Sequence, residues 1–341
     1  MKILYIGCHA TLEYDEVKLF HEMGHQVFSH GAYRNPEESA EHLPRPKIEG
    51  LPFFKRYYDL TNIYPAKTEI PDELISEFDV IIVTGGFHDI PVLSGNWKRF
   101  NKRKVVWRSI GQSTETTETA LQSFRREGLK LVRYSPEEKQ IPNFAGEDAF
   151  IRFYKDPAEY KDWNGNDKKI VNFTQSLLAR RHFCHYDQVM EITKDLPFKV
   201  YGTGNEDLGS LNGGELKFPF LKEMMRDVRC VLYAGTWPAP YTLSFMELMM
   251  TGTPVVAIGK GLAENIPGVK AFEFYEVHKI IKNDINGYVS DSIGELRAHL
   301  KRLLADHALA KRIGDAGRQT AIDLFGKEQR REEWRKFFES L

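Results

Sequence analysis

Short apolar runs that end at glycine recur along this chain, and they limit its fold more than any other feature. KILYIG (2–7), DVIIVTGG (79–86) and KVVWRSIG (104–111) are each followed by a stretch with helical periodicity. Runs of this length and composition are typical of strands that are buried on both faces of a parallel sheet. Successive parallel strands need a crossover helix between them, so the alternation predicts an α/β fold with helices on both faces of the sheet.

The same alternation begins again near residue 169. Its predicted strands are KIVNFT (169–174), FKVYG (198–202), RCVLYAG (229–235) and TPVVAIG (253–259). The span 151–169 is polar and rich in turn residues, as domain boundaries are. We therefore predict two Rossmann-like, doubly wound domains, 1–155 and 165–326, which face each other across a central cleft that holds the ligands. The charged, aromatic segment 327–341 is predicted to form a helix that packs back on the first domain.

Composition excludes several classes of protein. The formal net charge is −1, and neither half carries a G-x-G-x-x-G dinucleotide fingerprint. The three cysteines, Cys8, Cys184 and Cys230, are far apart, which argues against a disulfide framework or a metal cluster and indicates a reducing cytoplasm. No apolar run approaches the roughly 20 residues of a membrane helix. We expect a cytoplasmic protein without a metal or cofactor, which could still touch the inner face of a membrane.

A single glutamate lies within an otherwise apolar helix pattern, in the stretch TWPAPYTLSFMELMMTGTPVVAI (236–258). A carboxylate in such a helix must be hydrogen-bonded or open to a cleft, because burying it unpaired costs several kcal/mol. The positions three and four residues away from Glu247 hold no charged partner for it. Glu247 is therefore a candidate ligand-binding residue, with a surface position on the helix as the alternative.

Several motifs of the second half resemble the family-4-type glycosyltransferases of the GT-B fold. They are PYTLSFMELMMTGTPVVA (240–257), INGYVSD (285–291) and RIGDAGRQTAIDLF (312–325), and HEMGHQVF (21–28) is similar to the end of the family's first helix. The resemblance covers most of 170–326 in order and spacing, and the first thirty residues more loosely. It implies a GT-B enzyme that transfers a sugar from a nucleoside-diphosphate sugar with retention of configuration. UDP-glucose is the expected donor because it is the commonest.

The resemblance also implies a donor site in the second domain. Glu247 would accept hydrogen bonds from the ribose hydroxyls, while the helix-start amides of Tyr241, Thr242 and Leu243 would bind the diphosphate. Arg180 and Arg181 would neutralise the leaving diphosphate as catalytic residues, which removes the need for a metal ion.

Two further glycines belong to the implied donor site. Gly202 and Gly204 would bring backbone close to the base or the diphosphate, although a plain turn explains them nearly as well. The chain departs from the family at Ala239, where the family carries a glutamate that contacts the donor sugar. A sugar-nucleotide epimerase-like GT-B protein is therefore an alternative to a transferase.

The strand ends of the first half are expected to form the acceptor side. His9, Thr11 and Gln112 follow two of these strands, and His88 follows a third as the candidate general base. For each histidine, a structural role is the alternative. The long polar and aromatic insertion at 33–60 is expected to form loops near them.

The most basic stretch is NWKRFNKRKVVWR (96–108), which includes Lys102 and Arg103. It indicates an acceptor that carries phosphates, with a solvated surface as the alternative. An acceptor glycan, a phosphate polymer or a nucleic acid all remain open. In the last case the protein would be a DNA-modifying glycosyltransferase acting on a modified base.

Overall fold

The computed structural model describes residues 1–160, 162–262 and 274–341 of the chain. The chain divides into two compact units: unit 1 comprises Met1–Phe153 and Glu328–Leu341, and unit 2 comprises Tyr154–Lys327. The predicted donor domain at 165–326 includes 263–273, which lie outside the described residues. No helix in the described part of the chain is long and apolar enough to cross a membrane.

Unit 1 alternates strands with helices. In chain order its elements are β1 (Lys2–Ile6), α1 (Ala10–Glu22), β2 (Gln26–Ser29), α2 (Lys55–Ile63), α3 (Asp72–Ile75), β3 (Val80–Gly85), α4 (Ile90–Phe100), β4 (Lys104–Ser109), α5 (Glu115–Arg126), β5 (Lys130–Arg133) and β6 (Ala149–Phe150). The strands form one parallel sheet in the order β2-β1-β3-β4-β5-β6. Every residue of β3 is buried, as expected of an apolar strand covered on both faces.

Unit 2 repeats this architecture. Its elements are β7 (Asp167–Phe173), α6 (Tyr186–Thr193), β8 (Phe198–Tyr201), β9 (Asn212–Gly214), α7 (Phe218–Asp227), β10 (Val228–Tyr233), α8 (Leu243–Thr251), β11 (Val255–Ile258), α9 (Val277–Ile280), β12 (Tyr288–Ser290), α10 (Ile293–Ala305) and α11 (His307–Phe325). The sheet is again parallel, in the order β12-β11-β10-β7-β8-β9. Two parallel six-stranded sheets with helices confirm the predicted α/β class.

The last helix, α12 (Lys327–Ser340), supplies its side chains to the core of unit 1. The Trp334 ring lies edge-on to that of Phe20 at 4.9 Å between centroids, and Phe338 does the same at 5.2 Å. Aromatic side chains bury large areas, so these contacts fix the helix against α1.

The core of unit 1 also contains a buried ion pair. Arg108 of β4 donates to Glu16 of α1 at 2.8 Å, and both side chains are buried. Its guanidinium lies 4.2 Å from the Phe153 ring centroid, and it also donates to the Ile151 carbonyl at 2.6 Å. The buried arginine is tolerated because Glu16 matches its charge and its Nε and Nη1 find acceptors, although Nη2 has no hydrogen-bond partner among the described residues.

Candidate functional site

Each sheet has a point where the chain changes direction, and several of the predicted site residues lie in the loops at these points. In unit 2 the chain runs outward from β7 to β9 and then returns to β10, which lies beside β7. The loops that follow β7 and β10 therefore diverge and leave a crevice at the carboxyl edge of the sheet, where ligands of doubly wound folds bind. Arg180 and Arg181 belong to the first loop, and Tyr241 and Thr242 belong to the second.

The loop after β7 is tied to the loop after β8. Asn205 donates to the carbonyls of Thr174 at 2.7 Å and Gly202 at 2.9 Å, and it accepts from the Leu177 amide at 2.8 Å. A Cβ on Gly202 would lie 2.8 Å from the Thr174 carbonyl oxygen, and one on Gly204 would lie 2.3 Å from Ser176 Oγ. Both glycines also have positive φ, 140° and 71°. Packing between the two loops therefore accounts for these glycines without a ligand.

The two arginines of the first loop have different surroundings. Arg181 is exposed, donates from Nε to Asp187 at 2.6 Å, and lies over the Tyr186 ring. Arg180 is partly exposed, and its only side-chain hydrogen bond in the described part of the chain goes to the Gln175 carbonyl at 3.5 Å. Of the two arginines, Arg180 therefore has the weaker hydrogen bonding within the protein.

The start of α8 is shaped by a tyrosine from β10. The Tyr233 hydroxyl accepts from the Thr242 amide at 3.0 Å and donates to Thr242 Oγ1 at 3.1 Å. The Thr242 amide is thus already used within the protein. Thr242 is the N-cap, but its side chain makes no capping hydrogen bond, and Leu243 is the first residue of the helix. Tyr241 is buried, with its ring 5.3 Å from that of Phe325.

Glu247 of α8 is buried, with 3% of its surface exposed, so it does not occupy the surface of the helix. Its Oε1 accepts from Lys155 Nζ at 2.9 Å and from the Tyr160 hydroxyl at 3.0 Å. Lys155 is itself only 1% exposed. Lys155 is thus the charged partner of Glu247, and it lies 92 positions away in the sequence. The spacing of residues within the helix could not reveal it.

Trp237 is a further candidate, which the sequence reasoning did not single out. It lies in the loop after β10, is 8% exposed, and its indole Nε1 has no hydrogen-bond partner among the described residues. Buried tryptophan N–H groups usually find an acceptor. An oxygen of a bound phosphate or sugar could satisfy this donor. Nearby Ala239 is buried and donates its amide to the Thr236 carbonyl at 2.8 Å.

Unit 1 changes direction between β1 and β3. His9 follows β1 as the exposed residue before α1, and Thr11 accepts from Arg45 Nη2 at 3.2 Å. His88 follows β3, is exposed, and has its ring 3.9 Å from the Phe87 ring. Gln112 follows β4, and its carbonyl accepts from the Phe87 amide at 2.7 Å. The structure thus places His88 and Gln112 on adjoining loops of the carboxyl edge.

Lys102 and Arg103 lie elsewhere. They occupy the turn between the end of α4 and the start of β4, at the amino end of that strand. Arg103 donates from Nη2 to the Ser76 carbonyl at 2.8 Å. In a parallel sheet the amino and carboxyl ends lie on opposite edges, so these two residues do not join the group formed by His9, His88 and Gln112.

The insertion after β2 contains a groove of about 460 Å³. Its walls include Pro36, Glu37, Lys47, Ile48, Leu51 and Phe53. The root of the insertion is anchored by Glu13 of α1, which accepts from Ser29 Oγ at 2.6 Å and from the Tyr33 amide at 2.7 Å.

Comparison with solved structures identifies the fold. Sucrose-phosphate synthase from Thermosynechococcus elongatus is similar over 100% of this chain and 98% of its own, with a TM-score of 0.68 and 14% identity. HepE of Anabaena in complex with UDP-glucose is similar over 100% of both chains, with a TM-score of 0.67 and 14% identity. A glycosyltransferase from Rickettsia africae is similar over 99% of this chain and 98% of its own, with a TM-score of 0.60 and 14% identity.

These structures are GT-B glycosyltransferases, and the likeness over the full chain confirms the GT-B fold that the motifs suggested. No protein-family model matches the sequence, and neither does any curated protein.

Proposed function

We propose that this protein is a glycosyltransferase that takes its sugar from a nucleoside-diphosphate sugar, with UDP-glucose as the donor. The observation that carries the proposal is a GT-B fold along the whole chain, similar to an Anabaena protein solved with UDP-glucose. The direction change in unit 2 adds support, because it places two arginines and the start of α8 at the carboxyl edge of one sheet. This is where a doubly wound fold binds a nucleotide.

In the proposed donor site, the diphosphate lies at the start of α8. The Leu243 amide and the helix dipole attract its oxygens, and the Arg180 guanidinium neutralises its charge. The Thr242 amide already donates to the Tyr233 hydroxyl, so it contributes less to diphosphate binding than its position at the helix start suggests. Trp237 Nε1 is a further donor for a phosphate or sugar oxygen.

The ribose is proposed to bind at Glu247. A carboxylate has about four lone-pair sites, so it can accept ribose hydroxyls in addition to Lys155 and Tyr160. The two protein donors then have a definite role. They compensate the buried charge and hold the carboxylate in one orientation, which limits the entropy lost when the donor binds.

We propose transfer with retention and without a metal ion. The acceptor oxygen forms a bond to the anomeric carbon while the bond from that carbon to the phosphate oxygen breaks, and the nucleoside diphosphate leaves with the bonding electrons. The hydroxyl proton passes to an oxygen of the leaving phosphate. Arg180, Arg181 and the α8 dipole stabilise the charge that develops on that phosphate.

The test is a thermal-shift screen of sugar nucleotides, followed by proton NMR of each bound sugar nucleotide during incubation. We expect UDP-glucose to raise the unfolding temperature and to be hydrolysed slowly to α-glucose, with excess EDTA making no difference. Conversion to an epimer without hydrolysis would instead support the epimerase-like alternative that Ala239 leaves open. Loss of hydrolysis in EDTA, restored by Mg²⁺, would contradict the role given to the arginines. If no sugar nucleotide shifted the unfolding temperature, the proposed function would be wrong.

A further inference from the structure

An aspartate at the direction change of unit 1 has an unusual conformation. Asp89 is the N-cap residue of α4, where an aspartate side chain ordinarily accepts a hydrogen bond from an amide of the first turn. Here the side chain makes no capping hydrogen bond. Its Oδ2 turns back and accepts from the Gly86 amide at 2.9 Å. The carboxylate is therefore directed by the β3 loop rather than by the helix that it precedes.

The surroundings of Asp89 hold it in this place. A Cβ on Gly85 would lie 2.5 Å from the Asp89 Cβ, so the aspartate packs directly on the end of β3. Thr84 joins that end to β1, because its hydroxyl donates to the Ile6 carbonyl at 3.2 Å and accepts from the Cys8 amide at 3.1 Å. Asp89 thus lies beside the two strands that flank the direction change, at the edge where ligands bind.

Two positive charges and two hydrogen-bond donors act on the Asp89 carboxylate. Burial raises the pKa of Asp89, while the hydrogen bond from the Gly86 amide, the nearby Lys67 and His88 charges and a hydrogen bond from the Cys8 side chain lower it. Lys67 also donates to the Gly7 carbonyl at 2.5 Å. Burial first, and then the Asp89 charge, raise the pKa of the Cys8 thiol to about 12, so this thiol stays protonated at neutral pH.

We infer that Asp89 binds the acceptor: its half-buried carboxylate accepts hydrogen bonds from the hydroxyls of an uncharged sugar seated at the direction change of unit 1. This inference rests on the proposed glycosyltransferase function and names the acceptor class for it. Carboxylates suit hydroxyl donors and repel phosphates at close range. Lys67 donates to the Gly7 carbonyl and keeps its positive charge, so phosphate binding beside Lys67 is the competing outcome that the experiment must separate from sugar binding. The basic residues Lys102 and Arg103 lie at the other edge of the sheet and do not bring a phosphate here.

Cys8 provides a reporter of the site that needs no enzymatic activity. Cys8 as a residue is exposed, although its thiol faces Thr84 and is partly shielded from water, whereas Cys184 and Cys230 are buried. Peptide mass spectrometry can follow iodoacetamide alkylation at each cysteine separately. Asp89→Asn removes a negative charge that raises the Cys8 pKa, and the thiolate is the reactive form. We expect alkylation of Cys8 to be several-fold faster in this variant. Asp72→Asn, an exposed aspartate of α3, should alkylate at the wild-type rate and serves as the matched control.

The decisive arm is protection of Cys8 by ligands in the wild-type chain. We expect glucose or N-acetylglucosamine at saturating concentration to slow the alkylation of Cys8, with inorganic phosphate having no effect. Protection should be at least tenfold weaker in Asp89→Asn, since a hydrogen bond to a charged group is lost. If neither sugar protects wild-type Cys8, if phosphate protects it instead, or if Asp89→Asn is protected equally, the inference is wrong.

UDP-glucose hydrolysis in the same samples separates this inference from the proposed function. Hydrolysis by the wild-type protein and by the control Asp72→Asn reports on the donor residues of unit 2 without depending on Asp89. A protein that binds no sugar nucleotide would refute the proposed function whatever the Cys8 result. A protein that hydrolyses UDP-glucose but shows no Cys8 protection would refute only the role of Asp89.

Discussion

Replacing Glu247 with glutamine removes one charge from a buried ion pair in unit 2. The side chain keeps its shape, and the Tyr160 hydroxyl can still donate to the amide oxygen. Lys155, only 1% exposed, would then face a neutral amide 2.9 Å away in place of a carboxylate. The helix sequence alone suggests that this substitution would leave folding nearly unchanged, and the structure reverses that expectation.

The size of the effect follows from the burial of both partners. Removing one partner of a buried ion pair costs about 3–5 kcal/mol, because the other charge loses its compensation. For a domain of this size each kcal/mol shifts the unfolding temperature by about 2–4 °C, so unit 2 should unfold roughly 6–20 °C lower. The affinity for a nucleotide sugar should also fall, by about 1.5–3 kcal/mol, if the ribose hydroxyls bind to this carboxylate.

Scanning calorimetry can measure the change in unfolding temperature. Titration calorimetry, at a temperature where the variant is folded, can measure the change in affinity for the nucleotide sugar. The matched control is the double variant Lys155→Met, Glu247→Leu, in which no charge is left buried. We expect it to be more stable than either single variant, because a buried pair replaced by apolar groups costs little. A Glu247→Gln protein that unfolds at the wild-type temperature would refute the assignment of a buried ion pair. Unchanged donor affinity would refute the ribose role alone.

Three other substitutions test separate parts of the structure. Gly204→Ala should lower the free energy of unfolding of unit 2 by about 1–3 kcal/mol in a urea titration. The reasons are a φ of 71° at Gly204 and a new Cβ that would lie 2.3 Å from Ser176 Oγ. A variant as stable as the wild type would show that the loop rearranges to accept the methyl group. Burial and, to a smaller extent, the Lys67 and Arg34 charges lower the pKa of His30 to about 4. Between pH 4 and pH 6.5, the native state therefore binds fewer protons at His30 than the unfolded chain does. Stability should therefore fall as the pH drops through this window, and the fall should be smaller in His30→Gln; equal slopes in thermal scans would contradict this. Replacing Lys102, Arg103 and Lys104 together with glutamine should leave transfer unchanged at every salt concentration, since they lie at the amino end of β4. A transfer rate that became less dependent on salt would instead show a phosphate-bearing acceptor at that edge.

The fold could be predicted from the sequence because its main signal is local. Apolar strands such as DVIIVTGG and RCVLYAG are buried on both faces, and their composition shows it without knowledge of their partners. The strands β6 and β9 were not predicted, since two or three residues carry no periodicity. The helix α6 begins only at Tyr186, because the preceding residues form the turns of the loop after β7.

The candidate site was less predictable because its contacts are distant in sequence. Nothing near Glu247 points to Lys155, and nothing near Thr242 points to Tyr233 as the acceptor of its amide. The basic stretch 96–108 looked continuous, yet Trp107 and Arg108 are buried in β4 while Lys102 and Arg103 lie in an exposed turn. A linear run of charge therefore says little about a surface until the strand direction is known.

We propose that unit 2 binds a nucleoside-diphosphate sugar mainly through its diphosphate. Titration calorimetry of the wild-type protein with UDP-glucose, UDP and uridine, in buffer containing EDTA, measures the contribution of the diphosphate to binding. We expect UDP-glucose and UDP to bind with similar affinity and uridine to bind at least a hundredfold more weakly, because the α8 start and Arg180 act on the phosphates. Folded protein that binds neither UDP nor UDP-glucose, or that binds uridine as tightly as UDP, would contradict it.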